Sequence, residues 1–203
     1  VLNRRIPAVW LLIALCVWGG WRAWSQRSVE TGPGAIAPDP PEQLALDDDQ
    51  AASFGHKDWW LKPLAAFALQ ARVLGREDYR FDRLASLVPT DLALGWGPMS
   101  DTAVLERISI RQSGRFYYWS VREFPIPERD IVRSSANMHL IPADAAVARA
   151  LDRVRVGQVV RLSGKLVEAR SGSGITARSS LRRDDSGAGA CELIWVESLE
   201  VPP

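Results

Sequence analysis

The 203-residue sequence has few of the residues that most directly carry chemistry: two cysteines, two histidines and two methionines. Cys16 lies in an apolar N-terminal stretch and Cys191 near the other end, so no intramolecular disulfide is expected. His56 and His139 come with no CxxC or HxxxH spacing, which argues against a structural zinc site, and no metal or cofactor is expected. The absence of a Gly-x-Ser-x-Gly run sets aside the nucleophile elbow of serine hydrolases. Asp184-Asp185 beside glycines offers too few oxygens for a calcium loop and reads as a loose turn. Charge of one sign is also lacking: 25 basic side chains face 24 acidic ones, so the chain is not a polycation by composition.

A hydrophobic run is present at the N-terminus. Arg4 and Arg5 precede Ile6 to Trp21, which carries no charge, with Trp10 near one end and Trp18, Trp21 and Trp24 near the other. At 1.5 Å per residue the run spans about 24 Å of helix, so extension to Trp24 with Arg22 snorkelling brings it close to the roughly 30 Å hydrocarbon core. The expectation is an uncleaved single-pass transmembrane anchor over residues 1–24. The bulky Trp18-Gly19-Gly20-Trp21 region lacks a small-residue cleavage site. Arg4 and Arg5 against Arg22 and Arg27 favour a cytoplasmic N-terminus, which places the body in the periplasm of a bacterium, tethered to the inner membrane.

Residues 25–52 hold Gly32-Pro33-Gly34, Pro38, Pro40-Pro41 and Asp47-Asp48-Asp49, with one arginine against six acids. That composition predicts a flexible linker. Residues 53–203, with a net charge of +3, are long enough for one cored domain.

Within the body, Phe67, Leu69, Ala71 and Val73 alternate toward Gly75 as a half-buried strand. Val104 to Arg111, Gln112-Ser113-Gly114-Arg115 and Phe116-Tyr117-Tyr118-Trp119 read as a hairpin. Pro142 followed by residues 143–151 predicts a helix with proline at or near its first turn. Gln158 to Val167 reads as a strand with a mid-strand glycine, 175–181 as a short strand and 191–201 as the last one. Asp91 to Met99 reads as an ordered loop or one helical turn within a charged insertion, 76–103. The fold class expected is mainly β with helical inserts (α+β). Through Gly157-Gln158-Val159-Val160-Arg161-Leu162-Ser163-Gly164 and the strand–helix–strand order, residues 107–201 resemble an oligonucleotide/oligosaccharide-binding (OB-like) β-barrel. Asp91 to Asp101, Ser135 to Asp144 and Gly187 to Val196 also resemble stretches of single-anchored bacterial membrane proteins of no known activity, which implies no reaction.

Two groups of residues are candidates for function. His139, with Ser134, Ser135 or Cys191 as nucleophile, is the candidate for hydrolytic catalysis; set against it, Asn137 and His139 brace the helix entrance and Cys191 is a buried small hydrophobe. The segment from Arg149 to Arg183 holds nine basic residues against Asp152 and Glu168. Arg149, Arg153, Arg155, Arg161, Lys165, Arg178 and Arg182, with Trp119 as a stacking ring, form a candidate surface for an anionic glycan, lipid headgroup or nucleic acid; the alternative is an ordinary solvated face. An envelope location disfavours nucleic acid. The function expected is therefore a membrane-anchored periplasmic binding or assembly module whose partner is another envelope or membrane protein, with a tethered hydrolase or an anionic-polymer binder as alternatives.

Overall fold

A computed structural model describes residues 8–25, 27–182 and 191–202. The expectations for Arg4, Arg5, Arg183 and Asp184-Asp185 lie outside the described residues. In chain order the elements are α1 (Ala8–Ser25), β1 (Glu42–Leu44), β2 (Phe54–His56), β3 (Trp59–Asp78), β4 (Thr90–Gly95), a 3-10 turn (Gly97–Ser100) and α2 (Thr102–Leu105). There follow β5 (Ile108–Ser113), β6 (Phe116–Val121), α3 (Glu128–Arg133), β7 (Ser135–Pro142), α4 (Ala145–Arg153), β8 (Val159–Ser171), β9 (Thr176–Arg178) and β10 (Glu192–Glu200).

The expected transmembrane helix with an OB-like barrel is corrected. The protein is mostly β, 44% strand and 19% helix, with its main strands assigned to one eight-stranded sheet rather than to a barrel. Among the described residues no helix is long and apolar enough to cross a membrane. The N-terminal helix α1 has 18 residues, about 27 Å of helix, and its sequence includes Gly19, Gly20 and Arg22.

The sheet runs β1-β3-β4-β7-β10-β8-β9, with β2 on β3 and a further β3–β8 pairing. All its pairs are antiparallel except β10 with β7. The 20-residue β3 begins well before the predicted Phe67, because Lys62 and Pro63 obscure the alternation and a bulge between Pro63 and Ala65 absorbs the proline. Its odd-numbered side chains from Ala65 to Val73 enter the main core with Leu92, Leu94, Met138, Leu140, Leu162 and Ile194. Gly164 of β8 is required by close approach: a Cβ there would lie 1.9 Å from the Trp195 carbonyl oxygen. Asp91 to Met99 is not a loop. Thr90–Gly95 is a strand buried on both faces, so it shows no polar alternation, and the 3-10 turn follows.

Helix α4 is capped by Asp144, whose Oδ1 accepts from the amides of Ala146 (2.7 Å) and Val147 (2.9 Å), and it buries Val147 and Leu151 one turn apart. Asp144 therefore starts this helix, whereas Pro142 ends β7. The β5–β6 hairpin forms as predicted, with its first strand beginning at Ile108 rather than Val104, and turns through Gly114 and Arg115, both at positive φ (60° and 69°). Its inner face, with Ile108, Ile110, Tyr117 and Trp119, packs with α3 over Leu74, Ala93 and Met99.

The segment read as a flexible linker lies against the body. Val29 N–H donates to Val156 O at 2.8 Å, and Ala37 is fully buried, with its N–H donating to Ser100 Oγ at 3.2 Å and its carbonyl accepting from Gly97 N–H at 2.8 Å. Strand β1 pairs with β3 at Gln43↔Phe67. These bonds are made by residues between the prolines and acids, whose backbone partners on the body composition alone does not reveal.

Candidate functional site

The antiparallel β4–β7 ladder sets Asp91 directly opposite His139, and the parallel β7–β10 ladder sets Leu193 beside His139. Cys191 immediately precedes β10, two residues before Leu193. On β7 the even-numbered Met138 and Leu140 point into the main core, while Ser135, Asn137 and His139 share the other face with Asp91.

Asp91 is completely buried. A carboxylate so placed needs cations and donors, and the hairpin tip supplies them. Arg115 Nη1 donates to Asp91 Oδ1 at 3.1 Å, its Nε and Nη2 each reach Asp82 at 2.9 Å, and Nη2 also donates to Val88 O at 3.0 Å. The guanidinium carbon sits 4.0 Å from the ring centroid of Tyr79, whose hydroxyl accepts the Arg115 amide at 2.8 Å. Burial, then Asp91, then the hydrogen bond to Glu77 push the Tyr79 phenol well above its ordinary range, so it stays protonated. Gln112 Nε2 donates to Asn137 Oδ1 at 2.7 Å, and Asn137 Nδ2 donates to Arg115 O at 3.0 Å.

His139 occupies the other side of Asp91. Its Nδ1 lies 2.9 Å from Asp91 Oδ1, an ion-pair contact in which the N–H is not aligned for a directional hydrogen bond. The side chain is 15% exposed. Burial acts strongly to lower its pKa, but the contacts with Asp91 and with the Cys191 side chain outweigh it and raise the pKa to about 9. The imidazole is therefore protonated at neutral pH, between a buried carboxylate and a half-buried thiol. The strand register thus brings a cysteine, a histidine and a buried acid into one part of the sheet.

Of the residues predicted for catalysis, the structure unites His139 with Cys191 and leaves the serines aside. Ser135 Oγ is buried, donates to Ile131 O at 2.7 Å and touches Tyr117 Oη at 3.2 Å; Ser134 ends α3. His139 does not brace α4, since Asp144 caps it. Asp91 and Arg115 were missed. The available signals were an acid inside the apolar run Asp91-Leu92-Ala93-Leu94 and an arginine following the hairpin glycine.

The predicted basic surface is divided among several elements. Arg149 and Arg153 are exposed on α4 and Arg155 follows it; Arg161 Nη2 donates to Gln70 Oε1 at 2.9 Å; Lys165 lies 3.5 Å from Glu197. Arg178 and Arg170 both pair with Glu168, and together they hold its carboxyl below the usual range. Arg182 is exposed beyond β9. Trp119 packs beneath the hairpin, edge-on to Phe124 at 6.3 Å, rather than standing beside these cations. Among the described residues no group of histidine, cysteine and acidic side chains forms a metal site. No protein-family model, curated protein or solved structure matches the chain.

Proposed function

We propose that the protein is a cysteine-dependent acyl hydrolase or acyltransferase, with Cys191 as nucleophile, His139 as proton carrier and Asp91 as the acid that holds His139 charged. The observation that supports this reading is the convergence of the 2.9 Å contact between His139 Nδ1 and the buried Asp91 with the strand register that sets Cys191 two residues from Leu193, the partner of His139. In the reaction the Cys191 sulfur attacks an acyl carbonyl, the bond to the leaving group breaks, and the leaving group takes its proton from His139. Water, or an acceptor nucleophile, then cleaves the thioester as His139 takes up the proton. Incubation with p-nitrophenyl acetate is expected to place one acetyl group on the Cys191 peptide, detected by mass spectrometry. His139→Asn is expected to slow that acylation by about 100-fold or more. Equal acylation of Cys16 and Cys191, or an unchanged rate in His139→Asn, would overturn the reading.

A second reading is a binding or assembly module for another protein. The outer face of the hairpin favours it, where Phe116 is 41% and Tyr118 45% exposed and Arg111 stacks on the Tyr118 ring at 4.7 Å. Aromatic and arginine side chains of this kind are enriched where proteins meet. Absence of any acyl adduct on a folded protein removes the first reading and leaves this one to be tested by co-purification.

A further inference from the structure

The base of the hairpin, at the opposite end from Arg115, covers a second feature that acid–base chemistry at Cys191 does not use. Arg72 of β3 is 8% exposed, deep enough that its charge calls for a counter-ion. Its Nη1 donates to Thr102 Oγ1 at 2.7 Å and to Ser100 O at 3.2 Å, both neutral acceptors. Among the described residues no carboxylate forms an ion pair with it, and its Nε and Nη2 donate to nothing. Burial lowers the Arg72 pKa, and Asp101 opposes that from a distance. The Asp101 carboxylate is engaged with the amides of Ala103 (2.9 Å) and Gly34 (3.3 Å).

Arg72 and Thr102 line a cavity of about 440 Å³ between the hairpin base and the segment around Val29 and Thr31. That volume lies within the range of small-molecule sites. Leu105, Ile108, Ile110 and Val156 give it apolar walls, while Glu30 and Glu106 are exposed residues on its lining. The segment 28–31 is fixed as one wall by the Val29 bond to Val156 and by Thr31 Oγ1 donating to Gly157 O at 3.1 Å. Gly157, at φ 92°, allows this approach, since a Cβ there would lie 2.0 Å from Val29 O.

We propose that this cavity binds a small organic monoanion with an apolar body, its carboxylate on the free edge of the Arg72 guanidinium and its chain against Leu105, Ile108 and Ile110. The guanidinium supplies charge-assisted hydrogen bonds to the head group, and the apolar walls supply the remaining affinity. Glu30 and Glu106 repel ligands of higher negative charge, which excludes nucleotides and polyphosphates.

The test is calorimetric titration of the full chain with octanoate, 1-octanol and inorganic phosphate. Octanoate is expected to bind at least about tenfold more tightly than the isosteric alcohol, and phosphate not to bind. Arg72→Met is expected to abolish the preference for octanoate. Ile110→Trp, which fills the cavity and leaves Arg72 and its bonds in place, is expected to weaken octanoate and octanol together. Equal binding of octanoate and octanol, binding of phosphate, no binding to the folded wild-type chain, or undiminished binding to Ile110→Trp would each overturn the proposal. Acylation of Cys191 is a separate readout, so failure of either reading leaves the other standing.

Discussion

Asp91→Ala is expected to destabilise the fold by about 3 kcal/mol or more, the magnitude seen when one partner of a buried ion pair is removed. The substituted position is fully buried, and the Arg115 side chain that faces it is only 12% exposed. Without the carboxylate, Arg115 keeps Asp82 and Val88 O, but its Nη1 loses its acceptor and His139 loses the anion that holds its proton. The loss has a location as well as a size. Arg115 fastens the hairpin tip, so amides of Gly114 to Tyr117 are expected to exchange hydrogen much faster in the variant, while those of β8 keep protection relative to its lowered global stability. Urea unfolding gives the energy and hydrogen exchange gives the place. A stability within about 0.5 kcal/mol of wild type would show that the hairpin does not depend on this carboxylate.

Stability is also expected to fall as the pH rises from about 6.5 to about 9, through the titration of His139. Its pKa is about 9 in the folded protein against an ordinary 6.5, so the proton is bound more tightly in the folded state. The contribution is fully present below 6.5, where both states hold the proton, and is lost as the pH passes 9, where neither does. A shift of that size corresponds to roughly 3 kcal/mol. His139→Gln is expected to flatten the profile across this window in urea unfolding at pH 6, 7.5 and 9. A wild-type profile as flat as the variant's would contradict a charged His139.

Much of the sheet was legible because local pattern and tertiary burial agree. Gly114 shortly before four aromatic residues marks a turn and a strand, and the alanine-rich run after Pro142 marks α4, although Asp144 rather than the proline starts it. Where burial is two-sided the pattern disappears. Thr90–Gly95 has no polar face to announce a strand, and the first turns of β3 are disguised by Lys62 and Pro63. The N-terminal run misled in a different way: its apolar composition suggested a membrane span, whereas among the described residues no helix is long and apolar enough to cross a membrane. In residues 25–52 proline and acid content suggested an unpacked chain, whereas Ala37 and the backbone around it are taken up by the body.

The site was legible only in pieces. His139 and Cys191 stood out because histidine and cysteine are rare here, yet 52 positions separate them and only the β7–β10 pairing makes them neighbours. Asp91 was hidden because an acid in an apolar run gives no indication of its partner. Arg115 was hidden because a residue after a turn glycine reads as solvent-exposed. Each required the register between strands, which alternation leaves undetermined.

The central claim is that His139 makes the Cys191 sulfur reactive, and the most direct test is the rate of iodoacetamide alkylation of Cys191 at pH 6, followed by mass spectrometry of its own peptide. Wild type is expected to react at least about tenfold faster than His139→Asn, with Asp91→Asn between them or close to the histidine variant. Identical rates in wild type and His139→Asn, with both proteins folded, would show that the imidazolium does not act on the thiol and that the cluster serves only to hold the hairpin to the sheet.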